Sequence, residues 1–368
     1  MGLRKSIRRM IDRHRIQKRI NAARYVHLMF NDKFNKPFVG FLNRHFDPSE
    51  HLVLCKRWFS EHPFPTGPNV VEVATFRGLD FSVPTLRQVI CHSVFDPEIV
   101  DLLYENRQWL EKSVWIVWGG DLYQAPRDEK NDYVRGHFHG HWAGVDFPLV
   151  RERYGAQGWN CRVAYQFPIR KEMLDRVVAL RSSKAAHGGL IRVQVNNSCH
   201  ESTIPVLKAL ARFRDRDLVV RTIVSYGNLQ AKDEVLQVGR ELFGSRFEVI
   251  DEFMGAEQYA RRLDEIDILV LNQPRQQGVG NTMASMYLGK KIFIRSDVTT
   301  FGFNDMGARV YDSLAIPSIS WEDFVNNPPE AKDRNFAFAL KSLDEDSLAE
   351  SYKKAFEMGV FAASQEAC

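Results

Sequence analysis

The densest set of groups able to grip an anion lies between Asp267 and Thr282, D-I-L-V-L-N-Q-P-R-Q-Q-G-V-G-N-T. Ile268 to Leu271 reads as a buried strand, a loop with one Arg, two Gln and two Gly follows, and a helix opening on Asn281 and Thr282 runs on to Gly289. Helix N-termini leave backbone N–H groups free and carry partial positive charge, so they attract anions. Glycine lets that backbone approach a phosphate closely, and an Arg adds a charge-assisted fork. Arg275, Gln276, Gln277, Gly278, Gly280, Asn281 and Thr282 therefore read as a diphosphate cradle. The plainer alternative is an ordinary strand-to-helix turn with two glycines. Ser225, Tyr226 and Gly227 end a neighbouring strand, where they would hold a base or ribose or simply make the turn. Asn197 and Ser198 end the first strand of the same region and should line the same cleft.

Two residues farther up the chain suit proton transfer. Asp121 follows the apolar run V-W-I-V-W and a Gly pair. A carboxylate whose pKa is raised by a desolvated cleft can take the proton of an acceptor hydroxyl. Its ordinary job would be to cap a helix starting at Leu122. His92, also at a strand end, fits a base, a donor to a phosphate oxygen, or a structural histidine. The run G-H-F-H-G-H sets His137, His139 and His141 at alternate positions, which on a strand would share one face and invite a metal-dependent hydrolase. Its glycines count against a regular strand, and no nearby carboxylate or cysteine completes a ligand set. The pairs Asp215/Asp217 and Asp344/Asp346 read as a turn and a cap rather than a divalent-ion site. No metal and no cofactor are expected. The chain contains no G-x-G-x-x-G, P-loop or G-x-S-x-G, which weakens oxidoreductase, kinase and serine-hydrolase readings.

The elements that must position these residues alternate. Apolar runs at 25–31, 51–55, 70–74, 89–92 and 114–118 read as strands, with helical patterns near 38–44 and 98–110. Residues 131–150 read as irregular, a place for a lid or an acceptor-contacting insertion. A second alternation follows the linker-like 182–189: strands at 190–195, 218–224, 247–250, 268–271 and 291–295, and helices at 202–212, 232–243 and 256–263. Asp344 to Ala363 is a long helical pattern. With 368 residues, two domains are expected. The reading is an α/β fold of the GT-B-like class: two doubly wound, Rossmann-like domains facing a central cleft. Its parts are a basic arm or helix (1–24), an acceptor-binding domain (25–181), a nucleotide-sugar-binding domain (190–343) and a C-terminal helix crossing back (344–368).

Composition narrows the setting. Five scattered cysteines without CxxC spacing point to a reducing compartment. No apolar run reaches the roughly 18–20 residues of a membrane span, and the start lacks the apolar segment of a secretory signal. Residues 1–24 hold nine Lys/Arg against one acid, with Leu3, Ile7, Met10 and Ile11 at helical spacing. This fits a basic amphipathic helix on an anionic membrane surface, or a solvated arm. The opening M-G-L-R-K-S matches a myristoylation pattern, with nothing else to support acylation. A nucleic-acid partner is not expected, since the arm lacks interleaved aromatics and the remainder is near neutral.

Four segments, spread over roughly residues 90–295, resemble the TDP-N-acetylfucosamine:lipid II N-acetylfucosaminyltransferase family of the enterobacterial common antigen pathway. They are H-S-V-F-D-P (92–97), W-I-V-W-G-G-D-L-Y (115–123), Asn197-Ser198, and R-Q-Q-G-V-G (275–280). The chain departs from the family's pattern at Cys199, where the family has Gly, and in a shorter loop after Ser198. The resemblance implies transfer of a deoxyamino sugar from a TDP-sugar donor to a lipid-linked saccharide acceptor. The enzyme would be cytoplasmic and peripheral on the inner face of the cytoplasmic membrane. A non-catalytic nucleotide-sugar or polysaccharide-binding protein of the same fold is the competing reading.

Overall fold

The computed structural model describes residues 2–60, 62–163, 165, 167–181 and 189–361. The chain divides into two compact units, Met1–Gln166 with Glu345–Cys368, and Phe167–Asp344. Of the linker-like stretch 182–189, residues 182–188 lie outside the described residues. The chain passes into the second unit before that stretch. Helix Lys171–Arg181 belongs there because Arg176 pairs with Glu257 at 3.0 Å and the Tyr287 hydroxyl donates to Asp175.

The first unit is built on seven strands: β1 (Tyr25–Phe30), β2 (His51–Lys56), β3 (Val70–Val73), β4 (Gln88–His92), β5 (Ser113–Ile116), β6 (Gly140–Trp142) and β7 (Trp159–Asn160). All pair in parallel, in the order β3-β2-β1-β4-β5-β6-β7. The central strands are buried along their whole length, which is why they read as unbroken apolar runs rather than alternating ones. One face packs Leu28, Leu54, Cys91 and Trp115. The other packs Met29, Val53 and Ile90 beneath helices Asn35–His45 and Glu345–Phe361, the latter through Tyr352 and Phe356.

Residues 131–150, expected to be irregular, are regular. Helix Glu129–Gly136, β6 and helix Phe147–Tyr154 continue the α/β alternation. The glycines that disguised this are packing requirements. A Cβ on Gly140 would lie 2.2 Å from the Trp159 ring, so only glycine lets that indole cross the strand.

Helix Gly2–Ala22 is docked over its second half. Ile20 is buried in the core with Ile16 packed against it, while Gln17 donates to Asp80 O at 2.8 Å and Arg19 to Pro68 O at 2.7 Å. The side chains of Leu3, Ile7, Met10 and Ile11 lie outside the described residues. Among the described residues no helix is long and apolar enough to cross a membrane.

The second unit carries β8 (Ile191–Val195), β9 (Leu218–Ile223), β10 (Phe247–Ile250), β11 (Ile268–Leu271), β12 (Lys291–Ile294) and β13 (Tyr311–Asp312). These are again all parallel, in the order β10-β9-β8-β11-β12-β13. Helices Thr203–Leu210, Lys232–Phe243, Ala256–Asp264 and Val279–Tyr287 connect the strands, and Pro329–Leu343 closes the unit. Both units are thus doubly wound and Rossmann-like.

Candidate functional site

Each sheet reverses its strand order once, between β1 and β4 in the first unit and between β8 and β11 in the second. In open parallel sheets, ligands bind beyond the carboxyl ends of the strands at that reversal. The backbone marks the same two places. Ser93 (φ 72°) and Asn196 (φ 57°) are the two non-glycine residues in the left-handed region among the described residues, and each follows directly on a strand that borders a reversal. Such backbone costs of order 1 kcal/mol or more and persists where surrounding structure enforces it.

In the second unit side-chain hydrogen bonds enforce it. Asn196 Nδ2 donates to Thr203 Oγ1 at 2.9 Å, and its Oδ1 accepts the Asn272 N–H at 2.7 Å, tying the ends of β8 and β11 together. Gln273 Nε2 donates to Asn197 Oδ1 at 2.8 Å and Gln277 Nε2 to Ser198 Oγ at 2.9 Å. The Tyr226 hydroxyl donates to Asn197 O, and Gly227 runs beside Cys199 as an isolated parallel bridge. Gly278 precedes helix Val279–Tyr287 with φ 73°, and a Cβ there would lie 2.6 Å from Asn197 Nδ2. Only glycine fits. The structure therefore brings Asn197, Ser198, Tyr226, Gly227, Gln277 and Gly278 together. Asn281 and Thr282 turn inward instead: Asn281 Nδ2 donates to the Tyr259 hydroxyl at 3.3 Å and Thr282 Oγ1 to Gly278 O at 3.1 Å. The first backbone N–H groups at this helix start are left without intrahelical partners. Beside them Arg275 is half-buried, donates only to Gln276 O at 3.4 Å, and has no ion pair with any described residue. Ser225 and Gln276 are half-buried in the same two turns, and Gly280 backs onto the Phe167 ring, 3.0 Å from where its Cβ would stand.

In the first unit Asp121 is at the reversal but faces inward. Its carboxylate is buried and committed to three donors: Val94 N–H at 3.0 Å and Trp115 Nε1 at 2.6 Å on one oxygen, Trp118 N–H at 3.0 Å on the other. It anchors the Ser93 turn rather than offering an oxygen to a hydroxyl. It does so from the first turn of helix Gly120–Tyr123, whose N-cap is Gly119. Arg135 secures the same turn from below, donating to Val94 O at 3.0 Å and Asp121 O at 3.1 Å. Sequence reading missed Arg135, since a guanidinium on a polar helix looks solvated until tertiary packing buries it.

His92 is buried too, and joins a chain of rings. Its Nδ1 lies 2.9 Å from the Tyr165 hydroxyl and its Nε2 2.9 Å from His27 Nδ1, while His27 Nε2 lies 3.1 Å from His51 Nδ1. Burial pushes His92 and His51 down to about 3 and His27 well below its ordinary range, so all three rings are neutral at pH 7. His27 and His51 sit mid-strand and at a strand start, where nothing in the sequence separates them from core residues. Around Tyr165 and His92 lies an aromatic floor of Phe34, Phe38 and Trp118.

The histidine run 137–141 makes no metal centre. His137 caps helix Glu129–Gly136, His139 follows in the connection and His141 is in β6 with Nε2 3.2 Å from Arg135 O, so the three share no face. Among the described residues no group of three or more His, Cys, Asp or Glu could hold an ion.

No family model matches the chain, and no curated protein matches it. Solved structures do. An α,α-trehalose 6-phosphate synthase of Burkholderia multivorans superimposes with TM-score 0.63 at 10% identity, covering 93% of this chain and 100% of its own. The chain shares its fold. A sucrose-phosphate synthase of Thermosynechococcus elongatus gives 0.62 at 10% identity over 93% of this chain and 100% of that one. HepE of Anabaena, solved in complex with UDP and glucose, gives 0.61 at 10% identity over 91% and 99%. These likenesses span both units and establish a GT-B-like architecture of two Rossmann-like units.

Proposed function

We propose that this chain is a glycosyltransferase that moves a sugar from a nucleoside-diphosphate donor to a hydroxyl acceptor. The observation that carries the reading is Arg275, a half-buried guanidinium without a carboxylate partner among the described residues, beside a helix start that Gly278 makes approachable. A nucleoside diphosphate leaves with growing negative charge, so fixed donors on its oxygens stabilise the transition state. Tyr226, Asn197 and Ser198 would hold the rest of the nucleotide. In the first unit, Asp121 and Arg135 would act by holding the Ser93 turn, and His92 through Tyr165. UDP and glucose in the HepE structure support a nucleotide-sugar donor.

The finer reading rests on the segments 92–97, 115–123, 197–198 and 275–280. They favour a TDP-linked deoxyamino sugar as donor and a polyprenyl-diphosphate-linked saccharide as acceptor, with the basic helix Gly2–Ala22 resting on the inner face of the cytoplasmic membrane. The transfer would be independent of metal. Screening free TDP, UDP and their sugars for thermal stabilisation finds the donor, because a ligand selective for the native state raises its stability by mass action. Release of the nucleoside diphosphate is then measured with a lipid-linked oligosaccharide present. Nucleotide binding without turnover on any acceptor would favour the non-catalytic binding protein. Absence of both would refute the transferase.

A further inference from the structure

A proton taken from the acceptor must go somewhere, and the carboxylate expected to receive it is occupied. The first unit contains an alternative. His51, His27, His92 and Tyr165 form an unbroken hydrogen-bonded line crossing β2, β1 and β4, with contacts of 3.1, 2.9 and 2.9 Å. One end, the half-buried Tyr165, lies at the carboxyl end of β4 beside the Ser93 turn. The other end, His51, lines an open pocket of ≈ 330 Å³ with Arg19, Ala23, Pro48, Ser49 and Pro68. The line joins the strand-order reversal to the pocket at the amino-terminal end of β2.

Its chemistry is constrained by counting protons. A neutral imidazole has one N–H and one bare nitrogen. Each of the two ring-to-ring contacts needs one of each. If His92 carries its proton on Nε2, His27 must accept at Nδ1 and so carries Nε2–H, and His51 must do the same. Tyr165 then donates to His92 Nδ1. The only other consistent arrangement has all three protons on Nδ1, with His92 donating to the Tyr165 oxygen and Tyr165 donating to Asn35 Oδ1, 3.4 Å away. The three rings share one tautomer and switch together.

We propose that this line is a proton relay serving the transfer proposed above, with Tyr165 as its catalytic residue and the three histidines as the conduit. As the acceptor oxygen forms its bond to the sugar carbon and the bond to the nucleoside diphosphate breaks, the acceptor O–H proton passes to the Tyr165 oxygen. The Tyr165 proton moves to His92 Nδ1, the His92 Nε2 proton to His27 Nδ1, and the His27 Nε2 proton to His51 Nδ1. The His51 Nε2 proton goes to water. One proton crosses the sheet, every ring stays neutral, and the set changes from the Nε2–H to the Nδ1–H form. Once product has left, the reverse shift resets it, with a proton entering from water at His51 Nε2 and one leaving Tyr165 to water. Neutrality throughout is what burial demands, since the rings sit among Phe38, Phe46 and Phe356. The charged groups facing the line stand at its ends, Asp47 and Arg24 near His51 and Asp32 near Tyr165.

Two measurements on the full chain test this. Nitrogen-15 NMR of labelled protein at about pH 7 should find His27, His51 and His92 all neutral and all in the Nε2–H form; a mixed set of tautomers would overturn the line. Kinetically, Tyr165→Phe and His27→Phe should each lower kcat by about a hundredfold, within the range of general acid–base groups, with nucleotide affinity unchanged. The wild-type solvent isotope effect should show more than one proton in flight, and Tyr165→Phe should abolish that curvature. His27→Ala should regain turnover with added imidazole but not with thiophene, which fills the same space without relaying a proton. Turnover within twofold of wild type in both Phe variants would overturn the proposal. A wild-type chain that neither binds nucleotides nor turns them over would instead refute the transferase reading, and with it the service assigned to the relay, whatever the tautomers.

Discussion

Mild acid should unfold the first unit while the second stays folded. His27, His51, His92 and His141 are all buried in the first unit, with burial holding His51 and His92 down to about 3, His141 to about 4 and His27 well below its ordinary range. In the unfolded chain each returns to about 6.5. Between those values the unfolded state binds more protons than the native one, so stability is full above about pH 6.5 and is lost as pH falls. At about pH 5.5 each ring costs about 1.4 kcal/mol, or about 5–6 kcal/mol for four, comparable with the stability of a whole domain. In the second unit the described histidine, His200, is half-buried. Its Lys290 and Lys291, held down to about 8 by burial, gain charge well above this window and leave its acid stability alone. Six of the seven tryptophans, at 58, 109, 115, 118, 142 and 159, lie in the first unit, so tryptophan fluorescence during urea unfolding reports on it. Hydrogen exchange resolves the second. The fluorescence midpoint should drop steeply from about pH 7 to about pH 5.5, with a slope of several protons taken up on unfolding. A midpoint that does not move, or a second unit that loosens first, would refute the assignment of neutral buried rings.

Asp121→Asn should lower stability by about 1–3 kcal/mol, because the amide leaves at least one of the Val94, Trp115 and Trp118 donors facing another donor. Urea unfolding measures it; an unchanged midpoint would mean that the carboxylate is not the anchor of the turn. Arg275→Ala should weaken nucleoside-diphosphate binding by about 10- to 100-fold, the worth of a charge-assisted hydrogen bond, with the melting temperature of the free protein unchanged because Arg275 has no ion pair to lose. Gly278→Ala should cost about 1–2 kcal/mol through its positive φ and the approach to Asn197, and should weaken the same binding, read by calorimetry. Turnover should be the same before and after exhaustive treatment with a chelator; a loss restored by a divalent ion would overturn the metal-independent reading.

The sequence alone set the architecture. Apolar runs such as Val114 to Trp118 and Ile268 to Leu271 carry their own signature, because a strand covered on both faces has no polar side to show. Helical periodicity and turn residues placed most of the second unit's elements within a residue or two, as at Lys232–Phe243 and Phe247–Ile250. The same local cues failed at Gly136 to Trp142, where the glycines answer to Tyr154 and Trp159 rather than to their own backbone. The site divides in the same way. A loop of Arg, Gln and Gly before a helix is legible because backbone N–H groups and a guanidinium act where the sequence sets them. Whether Asp121 faces solvent or three inward donors depends on Val94 and Trp115, which chain order does not place beside it. His27, His51, His92 and Tyr165 span 139 positions of chain and meet only because β2, β1 and β4 pair side by side in parallel. A hydrogen-bonded line across strands is a property of the sheet's order and register, and those are decided by packing.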